Sequence, residues 1–140
     1  MQVDRLFTQN TKYNYLMEHW TLTWSRLIEL SSNNFSLPEF GGVYRLSYQS
    51  SDGSIYVFYV GQADDIRKRI NDHVSQYETN MCIRKMLLNY KCFVRYARVE
   101  NLRVRDGAER FLFAHYSPTC NNVLPSGSEM IINLDNPKAQ

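Results

Sequence analysis

Charge of one sign is scarce in this chain: 16 Lys and Arg stand against 14 Asp and Glu over 140 residues, a formal net charge of +2. So small a balance does not by itself announce a polyanionic partner. Cysteine is scarce too. Cys82, Cys92 and Cys120 form no CxxC pair and are odd in number, which argues against a disulfide framework or a structural zinc site. Each is expected to be a reduced core thiol. Long apolar runs are missing: nothing approaches the roughly 18 to 20 residues that span a bilayer. The opening MQVDRLFTQN lacks a basic stretch followed by an apolar one. The expectation is a cytoplasmic, reducing setting with no membrane partner. There is no internal repeat and no low-complexity segment. What remains is 44% hydrophobic, 14% aromatic and 21% charged, the composition of one globular domain.

The charge that is present is uneven. Residues 67–110 hold 11 Lys or Arg against 5 Asp or Glu, a balance of +6, and the other residues hold 5 against 9, or −4. A basic centre offers a place for a polyanion, unless folding scatters those charges.

Hydrophobic spacing divides the chain. Leu16, Trp20, Trp24, Leu27 and Ile28 recur at three- and four-residue intervals, so 10–30 is expected to be a packing helix. The polar stretch to Pro38 ends it, and Gly41-Gly42 precedes a run of β-formers. Strands are expected at 43–48 and 55–60, joined at Asp52-Gly53, a hairpin-turn signal. A helix capped by Asp64 follows, with Ile66, Ile70, Val74 and Tyr77 as its buried stripe. A weaker helical segment covers 81–90, a third strand 92–100, a polar loop the NLRVRDG stretch, and a last helix 106–116, ended before Pro118. Met130-Ile131-Ile132 is expected to dock as an edge strand or short cap, with the last residues frayed.

Four places in this layout carry chemistry. If Asp52-Gly53 is a two-residue turn, paired positions sum to 105, so Tyr44 lies opposite Gly61, Leu46 lies opposite Tyr59, and the two phenols share a face. A three-residue loop would instead put them on opposite faces, and both tyrosines also suit a strand for packing alone. Arg69 and His73, four apart on a helix, stack at the edge of its apolar stripe. There a guanidinium can hold a phosphate and an imidazole can pass a proton; a snorkelling arginine and a half-buried histidine are the plainer reading. Glu109 opens the row Glu109, Leu112, Phe113, Tyr116 at core-facing spacing. A carboxylate so placed is paired with Arg69 or Arg110, coordinates a metal, or sits at the open end of the stripe.

In this order the residues resemble the GIY-YIG nucleases. Gly42-Val43-Tyr44 stands for the first signature element and Tyr59-Val60-Gly61 for the second. The following GQADDIRKRINDH aligns Arg69 with the family's catalytic arginine and His73 with the histidine that many members carry. Glu109 falls at the metal-binding glutamate, and Asn121 at the asparagine that closes the motif set. The stretch between them is similar to the end of that domain in the nuclease subunit of bacterial excision repair. The resemblance covers about 40–125. Gln62 departs from the pattern, standing where excision-repair members tend to carry a lysine.

The resemblance implies an α+β fold, a small three-stranded antiparallel sheet flanked by helices. It divides the chain into a helical extension at 1–38, a nuclease domain at 39–125 and a partly docked tail at 126–140. The implied activity is metal-dependent hydrolysis of phosphodiester bonds in DNA, with RNA left open. One Mg²⁺ or Mn²⁺ would sit on Glu109, because hard divalent cations prefer oxygen ligands. Arg69 would bind the scissile phosphate. Tyr44 would take the proton of the attacking water with His73 as relay and Tyr59 positioning water or phosphate, or the two tyrosines would exchange roles. Asn121 would hold the site's geometry. A backbone grip is expected from Arg67, Lys68, Arg84, Lys85, Arg103 and Arg105. A subunit active only with a partner, a catalytically silent binding module, and a homodimer remain alternatives.

Overall fold

The computed structural model describes residues 4–10 and 15–134. Its centre is a four-stranded antiparallel sheet in the order β3 (Ile28–Glu29), β6 (Cys92–Arg98), β4 (Gly42–Gln49), β5 (Ile55–Ala63). The expected three strands are there, and the two-residue β3 adds a fourth beside Val94 and Phe93. Helices cover both faces, as an α+β sheet with two apolar sides requires. Helix α3 (Leu102–Tyr116) lies on one face with Val43, Val60, Ala97, Val104, Ala108 and Leu112. On the other face α1 (Ile66–Val74) and α2 (Met81–Asn89) enclose Tyr44, Leu46, Phe58, Ile66, Ile70, Ile83 and Val94.

The stretch expected as an N-terminal helix is extended instead. β1 (Asp4–Asn10) pairs antiparallel with β2 (Tyr15–Thr21), and the tail strand β7 (Ile131–Ile132) joins β2 in parallel. The spacing at 20–28 fits two periods. Trp20, Leu22 and Trp24, two apart, all enter the core under α3, and that alternation prevails over the helical one. Ile132 is buried, as a docked edge strand requires, and Asn133 ties the tail to Leu22 and Trp24. The expected fraying beyond 134 lies outside the described residues.

Two slips cancel in the central hairpin. Its loop has three residues between the paired Ser50 and Ser54, with Gly53 at φ +89°, so the ladder nearest the turn runs Gln49 to Ile55 and Ser47 to Val57. A β-bulge at Phe58 then restores the other register, so that Leu46 faces Tyr59 and Tyr44 faces Gly61. The three-residue loop therefore does not separate the tyrosines. The bulge also places Phe58 and Tyr59, neighbours in sequence, on the same face.

Other boundaries move by capping chemistry. Asp65, not Asp64, caps α1 by accepting from the Lys68 amide. That helix ends at Val74, leaving Tyr77 outside it and 79% exposed, while His73 takes the buried place. Asn101 caps α3 and accepts from the Val104 amide, so the segment expected as a loop is the first turn of the helix. Cys82 and Cys120 are joined by a disulfide with Cα atoms 5.3 Å apart, and Cys92 alone is the expected reduced core thiol. The odd count of cysteines concealed a pair that only folding brings together.

Candidate active site

β5 is an edge strand, and the helices of both faces meet beside it. α1 arrives from one side and α3 from the other, and between them lies a cleft of about 740 Å³. Its walls include Tyr59 and Gln62 from β5, Arg69 and Asp72 from α1, Asp106 and Glu109 from α3, and Glu78 and Asn121 from the following loops.

Tyr44 lies behind that wall with no exposed surface, its ring centroid 6.2 Å from that of Tyr59. Its hydroxyl packs over Gly61, where a Cβ would come within 2.5 Å of the Tyr44 oxygen. The glycine at the end of the second motif is therefore a steric requirement of the tyrosine in the first. His73, four residues after Arg69 on α1, reaches Tyr44 with Nε2 2.7 Å from the hydroxyl. On its far side Nδ1 lies 3.2 Å from Glu78 Oε1. With Glu78 ionised, its carboxylate can only accept, which puts the proton on Nδ1 and leaves the Nε2 lone pair for the Tyr44 O–H.

Electrostatics keep the ring uncharged. Burial, helped by the positive Arg69, lowers the His73 pKa to about 3, so the imidazole is neutral at pH 7. Burial raises the Tyr44 phenol well above its usual value, with Tyr59 adding to the shift. Tyr59 is also raised, first by burial, but its hydrogen bond with Arg69 works in the opposite direction. Glu78 is raised by burial and opposed by Arg69.

Glu109 sits across the cleft. Gln62 Nε2 donates to both Asp106 Oδ1 and Glu109 Oε1, the latter at 3.3 Å, so one amide is shared by two carboxylates. No ion pair engages either acid among the described residues, so the expected partners Arg69 and Arg110 do not hold Glu109. Burial raises the Glu109 pKa, the Gln62 bond offsets part of this, and Asp106 adds to it. A pair of carboxylates sharing one amide is a donor set that could hold a hard divalent cation. No third His, Cys, Asp or Glu joins them among the described residues.

Asn121 acts on the backbone. Its Oδ1 accepts from Val60 N at 3.0 Å and its Nδ2 donates to Val60 O at 2.8 Å. The amide replaces a neighbouring strand along the open edge of β5, and Cys120 N extends the pairing to Phe58 O at 2.9 Å.

None of the six residues expected to grip the backbone lines this cleft. Arg105 is 5% exposed and ties Val99 O, Glu100 O and the Asp64 carboxylate together, so it is a structural residue beside Gly41. Arg103 pairs with Glu18 at 2.8 Å, and Arg67 with Glu39 and Leu37 O. Arg84 bonds the carbonyls of Gln76 and Glu78, and Lys68 pairs with Asp72. Lys85 is exposed on α2. Arg69 is the cation in the cleft wall, against the acids Asp72, Glu78, Asp106 and Glu109.

Glu78 and Asp106 were missed from sequence. Glu78 lies in an irregular loop whose path no periodicity reveals. Asp106 could have been found, since Asp106 and Glu109 are three apart on one helix and share a face.

Searches of curated proteins and of solved structures return no match. The family model of the GIY-YIG catalytic domain matches residues 40–119, more than half of the chain and the span that contains both tyrosines, Arg69, His73 and Glu109. With that match and the nuclease-type α+β fold around these residues, this chain belongs to the GIY-YIG catalytic domain family.

Proposed function

We propose that this chain is a divalent-cation-dependent endonuclease that hydrolyses phosphodiester bonds in DNA. The observation that carries the reading is a buried hydroxyl–imidazole pair, Tyr44 and His73, directly behind Tyr59 and the wall of a cleft that presents Arg69 and Glu109. Arg69 pairs its guanidinium with the scissile phosphate. Tyr44 takes a proton from the attacking water as it gives its own to His73 Nε2, so no free phenolate has to form in advance. Tyr59, on the cleft side of Tyr44, orients water against the phosphate. Glu109, with Asp106 beside it and Gln62 holding both, would bind one Mg²⁺ or Mn²⁺. Such an ion supplies charge neutralisation for a phosphate entering an acidic cleft and for the departing 3′ oxygen.

A second assignment of the base has its own support. Tyr59 lines the cleft and its oxygen meets Arg69, a contact that favours the phenolate, whereas Tyr44 is sealed. Under the first assignment Tyr44→Phe removes cleavage and His73→Gln follows it; under the second, Tyr59→Phe does so and His73→Gln has little effect.

The test of the function is incubation with supercoiled plasmid and with single-stranded and branched DNA in Mg²⁺, Mn²⁺ or EDTA, beside Glu109→Gln. The expected outcome is metal-dependent cutting that falls by at least about a hundredfold in Glu109→Gln, with DNA binding retained. Equal cutting in EDTA, or by the variant, would refute the cation's role. Folded protein that cuts nothing would favour a silent binding module or a subunit that needs a partner.

A further inference from the structure

The loop between α1 and α2 is built around one carboxylate. Glu78 is buried, and its Oε1 lies 3.2 Å from His73 Nδ1. The Asn80 backbone N–H also donates to this carboxylate. The loop is held on three sides. Glu78 N bonds Ser75 O at 3.3 Å, Arg84 Nη1 bonds Gln76 O at 3.0 Å, and Asn80 both caps α2 through Ile83 N and donates to Cys120 O at 2.9 Å.

We propose that Glu78 is the positioning residue of the proton relay, holding His73 in the tautomer whose Nε2 lone pair faces Tyr44 and steadying the imidazolium that the relay creates. This rests on the reading of Tyr44 and His73 as the base. The Tyr44 O–H bond breaks as an N–H bond forms at His73 Nε2, and the Tyr44 oxygen receives a proton from the attacking water. The imidazolium afterwards returns its Nε2 proton to the Tyr44 oxygen, which gives up its own proton toward the cleft, so both groups are restored. Glu78 stays a carboxylate throughout and bonds only Nδ1–H. Without it, nothing selects the Nδ1–H form, and an Nε2–H imidazole would present Tyr44 with a donor instead of a lone pair. The charged and titratable groups facing this pair are Arg69 and Asp72 from α1, Arg84 from α2 and Tyr44 from β4, and Tyr59 packs against His73 from β5.

The test uses the full chain and two readouts. Nitrogen chemical shifts of His73, assigned by comparison with His73→Gln, report which ring nitrogen carries the proton. Wild type should show Nδ1–H; Glu78→Ala should lose that preference; Glu78→Gln, whose amide oxygen still accepts, should keep it. In cleavage assays kcat should fall about 10- to 100-fold in Glu78→Ala with KM unchanged, less in Glu78→Gln, and the pH profile of kcat should shift in both variants. An unchanged tautomer in Glu78→Ala, or an unchanged kcat in a folded variant, overturns the proposal. If wild type cuts no DNA, the nuclease reading fails separately, and the ring-nitrogen shifts still decide what Glu78 does to His73. Should Glu78→Ala not fold, Glu78→Gln carries the test: an unchanged kcat and an unshifted profile there refute the assignment.

Discussion

His73 is an imidazole kept neutral by its surroundings, and this ties its protonation to stability. An unfolded histidine titrates near 6.5, whereas burial and Arg69 hold the folded one at about 3. Between those values the unfolded chain binds the proton and the folded chain does not, so stability falls as pH drops through that window. Glu78 shifts the other way: its raised pKa means that the unfolded carboxyl ionises first, which favours the folded state on the acid side of its titration. Comparing wild type with His73→Gln isolates the imidazole. Denaturant titrations at pH 7 and pH 4.5 should show wild type losing on the order of a few kcal/mol more than the variant over that step. Parallel losses would mean that His73 titrates normally in the folded protein.

At the scale of elements, the site depends on how β4 and β5 are aligned. A strand's facing alternates with every residue, so the three-residue loop alone would have turned Tyr59 away from Tyr44, and the bulge at Phe58 turns it back. Gly61 completes the fit, because an added Cβ would lie 2.5 Å from the Tyr44 oxygen, 2.6 Å from Cζ and 3.0 Å from Tyr59 Cε2. The Tyr44 ring is enclosed and bonded to His73, so it cannot move aside without breaking that bond. Gly61→Ala should therefore abolish the Tyr44–His73 hydrogen bond and cleavage together, and lower stability by about 1 to 3 kcal/mol. Cleavage kinetics and a denaturation midpoint check both parts, and an active variant would show that the phenol can leave His73 without loss.

Across the whole molecule, distant segments converge on one strand edge. Asn121 and Cys120 line the open side of β5, and the Cys82–Cys120 disulfide fastens that segment to α2. Closing a 38-residue separation stabilises the fold by about 2 to 4 kcal/mol, chiefly by restricting the unfolded chain. Cys82→Ser should lower the denaturation midpoint accordingly and reduce cleavage through the loosened Asn121 clamp. Thiol titration of the denatured, unreduced protein should find Cys92 alone reactive. Three reactive thiols with an unchanged midpoint in the variant would show that the bond does not form. The N-terminal segment is equally bound in: Leu22 is in the core under α3, Leu37 is in the other core, and β3 pairs with β6.

Local rules determined a good deal from sequence alone. The turn residues, the alternation of β-formers and the helical spacing of Ile66 and Ile70 placed the hairpin and the first helix, because each depends on neighbours a few positions away, whereas Val74 and Tyr77 of the expected stripe gave way to His73. Two-fold and 3.6-fold spacing overlap between Trp20 and Ile28, and only contact with the rest of the core decided for strands. The basic residues expected as a backbone grip could not be sorted from order in the chain: Arg105 is spent on carbonyls and Asp64, whereas Arg69, singled out by its place on the helix, faces the cleft. Tertiary structure alone joined Cys82 to Cys120, brought Glu109 across from the opposite face, and set Glu78 against His73. Those contacts depend on where loops return in space, and the energy that selects them comes from burial and pairing among segments far apart in the chain.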